Sequence, residues 1–89
     1  MGATVLIIED EADLLELMEY HFQKAQFETA GFLSTKNVEQ FLEEETVDIM
    51  IVDRNLPGAE GSEFVQKLRQ KGVSAPVIFV TAKDSDANV

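Results

Sequence analysis

An α/β fold, an open parallel sheet with helices on both faces, is what three features of this sequence predict. Two short, largely β-branched runs, Val5-Leu6-Ile7-Ile8 and Ile49-Met50-Ile51-Val52, show no polar alternation and read as strands buried on both faces. Segments with helical spacing of apolar residues separate the strand candidates, so strand and helix alternate along the chain. Both buried runs end in acids, Glu9-Asp10-Glu11 and Asp53. In a parallel sheet those acids share one edge.

The first strand is expected over Thr4–Ile8, followed by a helix from about Glu11 to Ala25. Leu14, Leu15, Met18, Phe22 and Ala25 form one apolar stripe on that helix. Phe27–Leu33 reads as a weaker strand. Ser34 or Thr35 then caps a second helix, with Val38, Phe41 and Leu42 on one side. Glu43-Glu44-Glu45 opposes the helix dipole and marks a short, solvated end. Val47–Asp53 is the second strongly buried strand, and Leu56-Pro57-Gly58 is a turn signal. Phe64, Val65 and Leu68 lie on a third helix that stops at Gly72, and Pro76–Thr81 is the fourth strand. This β-α-β-α-β-α-β order, without repeats or linkers, implies right-handed crossovers. Ligands of such sheets sit beyond the carboxyl ends of the strands, where strand order reverses.

At 89 residues, 45% hydrophobic, the chain is expected to form one small domain, residues 1–89, with its own core. No apolar stretch approaches the ~20 residues of a bilayer span, and no signal peptide opens the chain. Without cysteine there is neither a disulfide framework nor a thiolate metal site. A cytoplasmic location is the expectation. Seventeen acids against seven bases give a net charge of −10, which argues against direct binding to nucleic acid or anionic membranes.

Neither G-x-G-x-x-G after the first strand nor G-x-x-x-x-G-K-[ST] occurs, and no H-E-x-x-H exists. The single His21 sits mid-helix beside Tyr20 and Phe22 and is expected to be an exposed or half-buried helix residue. Glu11, Asp48 and Glu43–Glu45 read as plain solvated acids, whereas Asp10 and Asp13 suit the cap and first turn of the first helix. Clustered carboxylates at the sheet edge would repel one another unless a cation joins them. The fitting ion is Mg²⁺, bound by one or two carboxylates, a carbonyl, waters and a phosphate oxygen. A carboxylate there can also act as a nucleophile and form an aspartyl phosphate. Thr81 brings a hydroxyl to the same edge, and Ala82 leaves room beside it.

Together these residues resemble the receiver domain of bacterial two-component response regulators. The likeness rests on Ile7-Ile8-Glu9-Asp10-Glu11, Asp53, Leu56-Pro57-Gly58 with Gly61, and Val80-Thr81-Ala82, and it runs the whole chain. It implies a flavodoxin-like sheet with strand order 2-1-3-4. It further implies that Asp53 accepts a phosphoryl group from a histidine kinase, and that Glu9, Asp10, Asp53 and the main-chain carbonyl of Asn55 hold Mg²⁺. Thr81 would bond the phosphoryl oxygens and shift on their arrival. The Leu-Pro-Gly turn leans toward the subgroup with a C-terminal winged-helix DNA-binding domain. Such a domain is a phosphoacceptor rather than an enzyme, open to phosphorylation by small phosphodonors.

The family's sheet has a fifth strand and two further helices, with a switch aromatic and a lysine that this chain lacks. Lys83, two residues past Thr81, does not match that lysine. The chain is therefore expected to be incomplete at its C-terminus and to self-associate through the bare fourth strand, Val77-Ile78-Phe79-Val80. A receiver-like interaction module that works without phosphate, or an inactive fragment, is the alternative. A phosphatase with an aspartate nucleophile fits less well, because the place of its second acid is taken by Asn55.

Overall fold

The computed structural model describes residues 2–56 and 59–80, with Asn55, Ala59 and Glu60 described by their main chain alone. Its elements are β1 (Thr4–Ile8), α1 (Ala12–Lys24), β2 (Glu28–Phe32), α2 (Val38–Glu44), β3 (Ile49–Asp53), β4 (Asn55–Leu56), β5 (Ala59–Glu60), α3 (Gly61–Gln70) and β6 (Val77–Val80). The main sheet has the order β2-β1-β3-β6 and is parallel throughout, the 2-1-3-4 order expected for the four principal strands. The antiparallel β4–β5 ladder was not expected; each strand is two residues long, too short for periodicity to reveal.

Side chains alternate across the sheet and divide the core in two. Leu6, Ile8, Met50 and Val52 face α2 and α3, where they meet Val38, Phe64, Val65 and Leu68. Val5, Ile7 and Ile51 face α1, where they meet Leu15, with Met18 and Phe22 packed alongside. The unbroken apolar runs of β1 and β3 therefore have the expected cause: both faces are covered. Ile78, beside Ile51 in the register, remains 49% exposed, so the α1 face is open toward β6.

Local details differ from the sequence expectations at the element ends. Glu11, not Asp10 or Asp13, is the N-cap of α1 and makes no side-chain cap bond; Asp13 lies in the first turn. Ala25 is the exposed C-cap of α1 rather than part of its buried stripe. Neither Ser34 nor Thr35 caps α2. The N-cap is Asn37, held at φ 69°, a left-handed conformation that asparagine tolerates better than most residues. Ser34 Oγ instead accepts from the Lys36 N–H at 3.2 Å, and the Thr35 carbonyl accepts from the Val38 N–H at 3.2 Å. Asp48 is exposed but not idle: its Oδ2 accepts from the Thr4 N–H at 2.8 Å and ties the start of β1 to the loop before β3. Past α3, Gly72 takes φ 96° as the chain turns toward β6. None of the described helices is long and apolar enough to cross a membrane.

Candidate functional site

Parallel pairing of β1 with β3 sets Ile8 beside Val52, so the residues that follow emerge together at the carboxyl edge. There, ligand atoms of Glu9, Asp10 and Asp53 all lie within 4.8 Å of one another. Glu9 and Asp53 are fully buried, and Asp10 is half-buried. The Phe32 carbonyl accepts from the Glu9 N–H at 2.9 Å, and Glu9 Oε2 accepts from the Glu11 N–H at 3.1 Å. Glu9 Oε1 is buried with no hydrogen-bond partner among the described residues.

Burial pushes the Glu9 carboxyl up to about 7 from 4.5. The Glu11 N–H works against that rise, while the charges of Asp53 and Asp10 and a hydrogen bond with Asp10 add to it. Two buried acids and a third at their side form an arrangement that costs stability when bare and becomes favourable when a cation compensates it. The donor set is hard oxygen, which fits Mg²⁺ or Ca²⁺ and not a thiophilic metal.

The main chain around Asp53 is fixed from two sides. Asp53 pairs with Val80 in register, and the Val80 carbonyl accepts from the Arg54 N–H at 2.9 Å. On the other side the Arg54 carbonyl accepts from the Gly61 N–H, also at 2.9 Å. Gly61 is buried so closely here that a Cβ would stand 2.6 Å from the Asp53 carbonyl oxygen. The spacing of the sequence marked Gly61 only through a family likeness; its physical role is this approach. Sequence reasoning also missed Arg54, next to Asp53, whose guanidinium carbon lies 5.3 Å from the centre of the Phe79 ring.

Of the residues expected in the site, Glu9, Asp10 and Asp53 come together as anticipated. Asn55 lies two residues past Asp53 in β4, its main chain paired opposite Glu60. Thr81, Ala82 and Lys83 lie outside the described residues, as do Pro57 and Gly58 of the turn. His21 is exposed on α1, its ring set edge-on against Tyr20 at 5.5 Å, far along the chain from the acids.

The chain belongs to the response regulator receiver domain family, which residues 5–89 match. The regulatory protein VanR of Enterococcus faecium is 27% identical over 88 residues, covering 99% of this chain. The chain spans only 38% of VanR's length. Among solved structures, the receiver domain of the Francisella response regulator 1452 superposes with a TM-score of 0.84 at 21% identity, over 96% of this chain and 70% of that one. The response regulator TrrA of Thermotoga maritima, in complex with Mg²⁺-BeF, gives 0.81 at 25% identity, over 96% and 76%.

Proposed function

We propose that this domain accepts a phosphoryl group on Asp53 from the phosphohistidine of a sensor kinase, with Mg²⁺ held by Glu9, Asp10, Asp53 and the Asn55 carbonyl. The observation that carries this reading is the triad: a buried aspartate at the end of the central strand, with two further carboxylates within 4.8 Å. A carboxylate oxygen of Asp53 attacks phosphorus, the P–N bond to the imidazole breaks, and its electron pair stays on the departing nitrogen, which takes up a proton. Bound Mg²⁺ supplies positive charge that offsets the triad and the equatorial phosphoryl oxygens. Glu9 and Asp10 position the cation, and the Gly61 approach and β6 pairing hold Asp53 in place. By its resemblance to the family's motif, Thr81 is the residue that would bond the phosphoryl oxygens and shift on their arrival. The domain is a phosphoacceptor and not a turnover enzyme. The resemblance of the Leu56-Pro57-Gly58 motif to the winged-helix subgroup favours a DNA-binding output domain as the recipient of that signal. The TrrA complex with Mg²⁺-BeF favours Mg²⁺ over Ca²⁺ as the ion.

Incubation with acetyl phosphate and Mg²⁺, followed by intact mass measurement, tests the reading. One phosphoryl group on the wild type, and none on Asp53→Asn or in the presence of a chelator, is expected. Equal labelling of the variant would overturn it.

A further inference from the structure

We propose that the open edge of β2 is a docking strand for an extended segment of a partner protein in which basic and apolar residues alternate. Among the described residues β2 has one strand neighbour, β1. The Glu28 N–H donates to the Ala3 carbonyl, and the Phe32 carbonyl accepts from the Glu9 N–H, both at 2.9 Å. Main-chain groups alternate direction along a strand, so Glu28, Ala30 and Phe32 point toward β1. Thr29 and Gly31 therefore point their N–H and C=O groups outward, the template an added strand needs.

The ground beside that edge is a groove of about 350 Å³ with Ala12, Asp13, Glu16 and Glu19 of α1 along one wall and Gly31 and Leu33 along its floor. Glu16 and Glu19, three residues apart on α1, line that groove, and they form the acidic row beside β2. Glu19 lies over Gly31: a Cβ on Gly31 would come within 2.5 Å of Glu19 Oε2 and 3.1 Å of Leu15 Cδ1. The glycine thus keeps the backbone edge low against the acidic wall. Leu33, at the end of the strand, is 52% exposed and offers an apolar anchor.

These features select the occupant. Every second side chain of an added strand would stand on the α1 face against the acid row, and there lysine or arginine is favoured. The side chains between them would fall beside Ala30 and the half-buried Phe32, where apolar residues are favoured. A second copy of this chain is disfavoured, because antiparallel pairing of β2 with β2 would bring two acid rows together.

The probe is an eight-residue peptide alternating lysine and valine, added to the intact protein at low salt. Three further peptides accompany it: one with glutamate for lysine, and two N-methylated on one or the other alternate set of amides. Binding should slow hydrogen exchange at Thr29 and Gly31 and shift their amide resonances. One N-methylated set should abolish binding and the other leave it intact, since only one set faces β2, and the glutamate peptide should not bind. The double reversal Glu16→Lys/Glu19→Lys should weaken binding roughly tenfold. The same charge change at the far end of α2, Glu43→Lys/Glu44→Lys, should leave it within about twofold. Absence of binding, equal losses in the two variants, or indifference to which amides are methylated would overturn the proposal.

Discussion

Glu9→Gln removes one carboxylate from the triad and keeps the length of the side chain. In the folded protein Glu9 titrates at about 7, against 4.5 when unconstrained. The folded state therefore holds this proton more tightly than the unfolded chain. The resulting stability is fully present below 4.5 and is lost as pH rises through about 7. A shift of that size corresponds to about 3 kcal/mol. Glutamine does not titrate, its oxygen can keep the bond from the Glu11 N–H, and its amide can donate to the neighbouring carboxylates. Urea denaturation in the presence of a chelator, at about pH 5 and about pH 8, measures the difference between wild type and variant. The difference between the two proteins reads the Glu9 proton together with its interaction with Asp53 and Asp10. The variant should gain about 2–3 kcal/mol on the wild type between those two pH values. It should also gain less from added Mg²⁺ than the wild type does. An unchanged gap across that range would refute the claim that burial and like charge raise Glu9.

Three other substitutions probe the frame around the site. Gly61→Ala forces a Cβ against the Asp53 and Arg54 main chain, and should cost about 1–3 kcal/mol and weaken Mg²⁺ affinity, read by urea melts and ion titration. Leu68→Ala, deep under α3 and far from the acids along the chain, should cost about 3 kcal/mol and leave Mg²⁺ affinity unchanged in the fraction that is folded. Asp48→Ala removes the acceptor for the Thr4 N–H; a loss of about 1 kcal/mol is expected, with faster amide exchange at Thr4.

The sequence made the principal strands and the triad legible for one physical reason. β1 and β3 are covered on both faces, so their apolar runs are unbroken, and parallel strands carry their following residues to the same edge. The weaker β2 was legible in place but not in role, since its outward residues, Thr29 and Gly31, carry no hydrophobic pattern. Helix caps were misplaced because Ser34 and Thr35 engage the turn before α2, leaving Asn37 at positive φ as the cap. Long-range polar contacts such as Asp48 to Thr4 depend on a separation of 44 residues that no local window sees. Gly61 and Arg54 act through close approach to Asp53 and Phe79, and spacing along the chain does not encode approach.

The central claim, that Asp53 is the phosphoryl acceptor, is tested most directly by locating the modification chemically. After reaction with acetyl phosphate and Mg²⁺, borohydride reduces an aspartyl phosphate to homoserine, and mass spectrometry of the digested chain gives its position. Homoserine at position 53 alone is the predicted result. Homoserine at position 10, a reduced glutamyl product at position 9, or no reduced residue in a protein that binds Mg²⁺ would contradict the account.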